Sequence, residues 1–373
     1  MLLRFAVFAA FATSSLTIQL AAASEVSLIS ELKFSSIASP LSSNSAIVVR
    51  GVTYSPDGKW IAVVAGTSRS ICNGNDLLML IPVQSQTAPT RPVALGACAT
   101  RGPLEWSLDS KRIIVKLLGG HFIHLRVVAG ILLEPKTHSG VFAGFLDSDN
   151  VMVTQQSGIP GVSPAGEITI CNLETDAHST PKFGNPGFDY VAAFGPPARA
   201  LVYSSTKHSA MVIDPITNAE LMGGLTLSAN PEVRFCDGGK TVCIGSFPFA
   251  MRPMKLRCFD IERKVELRRH PRVQNGAPFE IAQGAAVLLA SDMSRPAVPF
   301  LIGFLMEDGN PLVAHAWVLW DMRSGKEIAR MPYQLQDRQA KKKSHLPAQA
   351  ALSPDGRRIA VGCGDFLRVY EVL

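Results

Sequence analysis

The chain has 373 residues, of which 47% are hydrophobic and 18% charged, with 30 Gly and 25 Pro. That composition can bury a large core and excludes a disordered, collagenous or coiled-coil protein. A formal net charge of +6 is mild for this length and does not by itself point to nucleic acid.

The first element is an address. Met-Leu-Leu-Arg4 is a short basic start, Phe5 to Ala12 is an apolar run, and Leu20-Ala21-Ala22-Ala23 puts small residues ahead of Ser24. This is the layout of a secretory signal peptide over residues 1–23. Thr13, Ser14, Ser15, Thr17 and Gln19 interrupt the roughly 18–20 apolar residues that a membrane-spanning helix requires. The expected location is outside the cytoplasm, periplasmic or secreted, in a bacterial envelope. Residues 24–373 then form a single domain. Its first stretch, Val26-Ser-Leu-Ile-Ser-Glu-Leu-Lys-Phe34, alternates like an outer strand. Residues 24–36 are expected to pair with the last repeat and close a ring.

Next comes a hairpin that recurs. Val52-Thr-Tyr-Ser-Pro-Asp-Gly-Lys-Trp-Ile-Ala-Val-Val64 returns near the other end as Ala351-Leu-Ser-Pro-Asp-Gly-Arg-Arg-Ile-Ala-Val361. Pro sets φ at the first turn position, and Asp-Gly supplies the polar and positive-φ positions between two apolar strands. Weaker copies lie at Trp106–Val115, Phe145–Val153 and Phe235–Ile244, with degenerate ones after Phe194 and Ile281. Each is followed by an alternating strand, often an acidic residue, and a turn. Ile168-Thr-Ile-Cys-Asn, Met211-Val-Ile-Asp-Pro, Leu256-Arg-Cys-Phe-Asp and Val318-Leu-Trp-Asp are the examples. Four strands per unit and seven units give about 50 residues each, matching propeller repeats of roughly 40–50. The expected fold is all-β: a seven-bladed β-propeller of four-stranded antiparallel blades, its ring closed by the N-terminal strand.

Ser-Pro-Asp-Gly before an apolar strand, with Trp320-Asp321 closing a third strand, resembles the WD-repeat-like propellers of exported bacterial proteins, including the TolB type. The resemblance covers nearly the whole chain after residue 23, and it implies a fold more than a function.

Chemistry is sparse. Asp57, Asp109, Asp147, Asp237 and Asp355 sit inside turns, where Asp bonds the backbone two residues on, and are not read as a ring of carboxylates. There is no Gly-x-Ser-x-Gly and no His-Glu-x-x-His. His121 and His124 are an odd number of residues apart on a strand, which sends them to opposite faces. No cofactor and no metal ligand set is read. Of the seven cysteines, Cys72 and Cys98 fall in loops that emerge on one face of the first unit and are expected to form a disulfide. Cys243 and Cys258 fall on adjacent strands, where buried thiols are expected; Cys171 and Cys363 read as core.

The function read from these features is a non-catalytic scaffold, monomeric, that binds a protein partner or envelope component. The alternative is an enzyme with a central-channel site of lactonase, lyase or glycosidase type. Unequal loops between second and third strands mark one face as specialised. The longest carries Arg295, Phe300 and Phe304, and the link into the final unit carries Lys341, Lys342 and Lys343. These six are the expected contacts for a partner or a membrane surface; nucleic acid is not expected.

Overall fold

The computed structural model describes residues 26–34, 47–67, 76–84, 89–155, 167–182, 190–204, 209–225, 231–246, 257–267, 279–281, 287–292, 316–321, 326–332 and 349–372. Strand β1 (Val26–Lys33) comes first. The next four strands make one antiparallel sheet: β2 (Ile47–Tyr54), β3 (Trp60–Thr67), β4 (Leu77–Pro82) and β5 (Val93–Ala94). The second sheet is β6 (Ala99–Trp106), β7 (Arg112–Leu117), β8 (His121–Val128) and β9 (Ile131–Ser139). The third is β10 (Val141–Phe145), β11 (Asn150–Thr154), β12 (Ile168–Asn172) and β13 (His178–Ser179). The fourth is β14 (Tyr190–Phe194), β15 (Arg199–Ser204), β16 (Ser209–Ile213) and β17 (Glu220–Leu225), and the fifth β18 (Pro231–Cys236), β19 (Thr241–Ser246), β20 (Arg257–Asp260) and β21 (Val265–Glu266). The sixth is β22 (Phe279–Ile281), β23 (Val287–Asp292), β24 (Ala316–Asp321) and β25 (Lys326–Pro332). Finally β26 (Gln349–Leu352), β27 (Arg358–Cys363) and β28 (Phe366–Val372) form a sheet whose fourth strand is β1. There β1 runs antiparallel to β28, from Val26 opposite Val372 to Lys33 opposite Phe366.

Each sheet buries both faces, which explains the near-continuous apolar runs of the middle strands. Along β3, Ile61, Val63 and Ala65 join an apolar cluster with Ala351, Ala360, Leu367 and Val369 of the last sheet. The intervening Ala62 and Val64 join a different cluster with Ile113, Val115, Ile123 and Leu125 of the second sheet. Similar clusters join the second sheet to the third, the third to the fourth and the fourth to the fifth. The first strands β10, β14, β18, β22 and β26 touch in succession, and β2 touches both β6 and β26.

The recurring hairpin turn has one hydrogen-bond pattern in three places. Ser55 Oγ donates to Asp57 Oδ1 at 2.6 Å and accepts the Trp60 N–H at 2.9 Å, while Asp57 Oδ1 also accepts the Lys59 N–H at 3.1 Å. Ser107, Asp109, Lys111 and Arg112 repeat it, as do Ser353, Asp355, Arg357 and Arg358. Each turn needs one residue with positive φ, supplied by Gly58 at 70° and Gly356 at 73°. Ser110 takes that place at 61° in the second sheet, and its hydroxyl accepts the Asp57 N–H at 3.0 Å, tying one turn to the next.

One cysteine expectation is corrected. Cys243 and Cys258 are disulfide-bonded, not two buried thiols. They are register partners on β19 and β20 with Cα atoms 4.0 Å apart, so both side chains leave the sheet on one face within bonding reach. Among the described residues Cys171 and Cys236 are free and buried.

Candidate functional site at the seam of the second and third sheets

Arg112 opens β7 immediately after the Ser107–Lys111 turn, and the turn's own bond from Arg112 N–H to Ser107 Oγ fixes where its side chain starts. That side chain is largely buried and reaches three partners. It donates to His124 Nε2 at 3.1 Å and pairs with the carboxylates of Glu174 and Asp149, both from the third sheet. Asp149 lies in the turn between β10 and β11, and Glu174 in the turn between β12 and β13. The latter turn is organised by Asn172, whose Oδ1 accepts the N–H groups of Glu174 and Thr175.

His124 and Phe122 alternate inward on β8, whereas His121, three residues before His124, is exposed. The Phe122 ring stacks on His138 of β9 with centroids 5.0 Å apart, and the two histidine rings are 6.0 Å apart. His138 Nδ1 meets Asp176 Oδ1 at 2.7 Å. The Cys171 thiol on β12 lies 3.9 Å from that same nitrogen and 3.9 Å from the same carboxylate oxygen. Lys136, two residues before His138, donates to the carbonyls of Leu173 and Glu174 and so holds β9 over the third sheet's turn.

The charges follow from this packing. Burial, reinforced by the Arg112 guanidinium, pushes His124 down to about 4, so the ring is neutral at pH 7 and presents a lone pair to Arg112. Burial also lowers His138, against the pull of Asp176. The bond from His138 holds the Asp176 carboxyl below its ordinary value, and the bond from Arg112 does the same for Glu174. Burial and the Asp176 charge push the Cys171 thiol up to about 11. A protonated thiol facing the nitrogen that already serves Asp176 is not an activated nucleophile, which needs a lowered pKa and a base whose other nitrogen is held by the third group. What remains is one nitrogen, one sulfur and one oxygen, all within 4.8 Å of one another.

Sequence reasoning does not find this cluster. Cys171 reads as core, and His138 and Asp176 carry no motif. The only available signal is Cys171 followed five residues later by an Asp in the turn after the third strand. Arg295, Phe300, Phe304, Lys341, Lys342 and Lys343 lie outside the described residues, as does Cys72. Cys98 is disulfide-bonded. Asp57, Asp109 and Asp355 hold turn N–H groups, as does Asp147, which accepts from Asp149 and Asn150. Asp237 sits in its turn with φ 53°.

No protein-family model matches the chain, and no curated protein matches it in sequence. Solved structures do share its fold. The β-propeller domain of Cps50 (Swd1) from Myceliophteria thermophila aligns over 94% of this chain and 100% of its own, at 10% identity and a TM-score of 0.56. A chain of the mitotic checkpoint complex aligns over 100% of this chain and 98% of its own, at 11% identity and a TM-score of 0.57. The protein is an all-β β-propeller in fold.

Proposed function

We propose that this is an exported, seven-bladed propeller that serves as a non-catalytic scaffold for a protein partner or envelope component. What carries the reading is how the described polar side chains are used. Asp57, Asp109 and Asp355 complete turns, Arg112 ties two sheets together, and the thiol beside His138 is held protonated. A shape shared with a chain of a multi-protein complex is consistent with an interaction role. Among the described residues, seven four-stranded sheets in sequence order, β1 paired to β28, and an apolar cluster joining the last sheet to the first support the closed ring.

The partner surface is the face bearing the long loops, with Arg295, Phe300, Phe304, Lys341, Lys342 and Lys343 as contacts. Replacing residues 294–310 by a short Gly-Ser link should leave the melting temperature unchanged and abolish cross-linking to the native partner. Persistent cross-linking, or unfolding of the variant, overturns this assignment. Export predicts a mature N-terminus at Ser24, read by intact-mass measurement. Cys72 is proposed as the disulfide partner of Cys98. Asp76, four residues after Cys72 in the sequence, accepts the N–H of Ala99, the neighbour of Cys98, at 2.8 Å, which supports the pairing. Recovery of Cys72 as a free thiol in non-reducing peptide maps removes that pairing.

A further inference from the structure

The geometry points to a zinc-binding site formed by His138 Nδ1, Cys171 Sγ and Asp176 Oδ1, bridging the second and third sheets. The inference stands apart from the proposed scaffold function. Its ligands come from β9, from β12 and from the turn after β12, so an ion held there would pin two neighbouring sheets through their side chains.

The donor set selects the metal class. A thiolate with an imidazole and a carboxylate suits Zn²⁺, whereas Mg²⁺ and Ca²⁺ prefer oxygen alone. Tetrahedral zinc with bonds of about 2.0–2.3 Å places its ligand atoms roughly 3.3–3.6 Å apart. The three atoms here are separated by 2.7 Å (nitrogen to oxygen) and by 3.9 Å from sulfur to each. Opening the first by about 0.6 Å and closing the others by about 0.3 Å reaches that geometry. These are side-chain adjustments, smaller than a rotamer change.

Two further observations aim the site. The His138 side chain is fully buried, and its plane is set by stacking on Phe122. Its other nitrogen, Nε2, is buried and meets no hydrogen-bond partner among the described residues. When Nδ1 binds the metal, the proton through which it bonds the Asp176 carboxylate moves to Nε2, so the ring stays neutral. Asp176 is already ionised, and the Cys171 thiol releases its proton, one per ion bound. Asp176 is the exposed edge of the trio, with its side chain 52% accessible, so the fourth ligand enters from that side as water. The Lys136 ammonium is held by two carbonyls and leaves the donors free.

The test uses the full mature chain without reductant, so that Cys243–Cys258 stays intact, and Co²⁺ and Zn²⁺ as probes. Co²⁺ should give a thiolate charge-transfer band and the intense visible bands of a tetrahedral ion, and one equivalent of Zn²⁺ should displace it. Cys171→Ser should lose the charge-transfer band, whereas Cys236→Ser, which removes the other thiol that is free and buried among the described residues, should keep it. Asp176→Asn, at an exposed position whose φ of 60° suits Asn as well as Asp, should weaken Zn²⁺ binding by at least about 10–100-fold. No thiolate band in the unaltered chain overturns the site, and so does a band that survives Cys171→Ser. If Cys171→Ser fails to fold, Asp176→Asn decides: unchanged Zn²⁺ affinity refutes the assignment.

Discussion

Truncating Phe34 to Ala should destabilise the whole protein, because this one side chain anchors β1 where the last sheet meets the first. Phe34 is fully buried, and its N–H donates to the Asp365 carbonyl at 2.8 Å. Its ring belongs to the cluster that includes Ile47, Val49, Ile61 and Val63 from the first sheet and Ala351, Ala360 and Leu367 from the last. Removing a buried Phe side chain costs about 3–5 kcal/mol, the lost transfer energy plus the cavity left behind. At about 2 °C per kcal/mol for a chain of this size, the midpoint should fall by roughly 6–10 °C. The assay is thermal unfolding followed by circular dichroism. The control is Leu28→Ala within β1, the strand that Phe34 directly follows, where the side chain is 53% exposed and the change should stay within about 0.5 kcal/mol. Equal midpoints for Phe34→Ala and the unaltered chain would refute the claim that β1 is part of the cooperative structure. A loss at Leu28 matching that at Phe34 would show that the strand, not the buried ring, carries the effect.

Three other outcomes are expected. Gly66→Ala should cost on the order of 3 kcal/mol in urea unfolding, because the new Cβ would fall 1.9 Å from Asp76 Oδ1 and 2.7 Å from the Arg50 guanidinium, breaking a buried ion pair. Replacing Cys243 and Cys258 together by Ala should cost about 3 kcal/mol, the loop entropy of a link across 15 residues, and non-reducing peptide maps of the unaltered chain should recover the two joined. Asp109 is pushed up by burial, but its bonds from Ser107, Lys111 and Ser148 prevail and hold it below its ordinary value of 3.8. Its contribution is therefore complete above that value and lost as pH falls through the lower folded-state value. Asp109→Asn should flatten the acid limb of a stability–pH curve, and an unchanged limb would refute this.

What the sequence reveals and what it hides divides along the range of the interactions. The Ser-x-Asp turns are legible because their bonds join residues two to five apart: Ser55 to Asp57, Asp57 to Lys59, Trp60 to Ser55. The β8–β9 hairpin carries no such mark, since its turn is Ala129-Gly130 with both residues at positive φ and no acidic side chain. The outer strands β5, β13 and β21 are two residues each, too short for any alternation to register. Cys243 and Cys258 were placeable on adjacent strands, but pairing them needs the register across the long connection between β19 and β20, which composition does not set.

The seam cluster is the extreme case. Arg112 meets His124 twelve residues on, Asp149 thirty-seven on and Glu174 sixty-two on, while His138 finds Asp176 across thirty-eight. No local pattern specifies those partners, because they are chosen by how one sheet lies on the next. A repeat fold makes this outcome general. Whatever recurs in every unit must serve the unit itself, which is why the recurrent aspartates turn out to hold turns. Chemistry peculiar to one place has to come from residues that break the repeat, and His138, Cys171 and Asp176 do so at a seam where two units lend their side chains to one another. The same logic makes the seam a place where a single bound ion would act mechanically, adding one more bridge between neighbours that already meet there through apolar packing, the salt bridges of Arg112 and the bonds of Lys136 and His138.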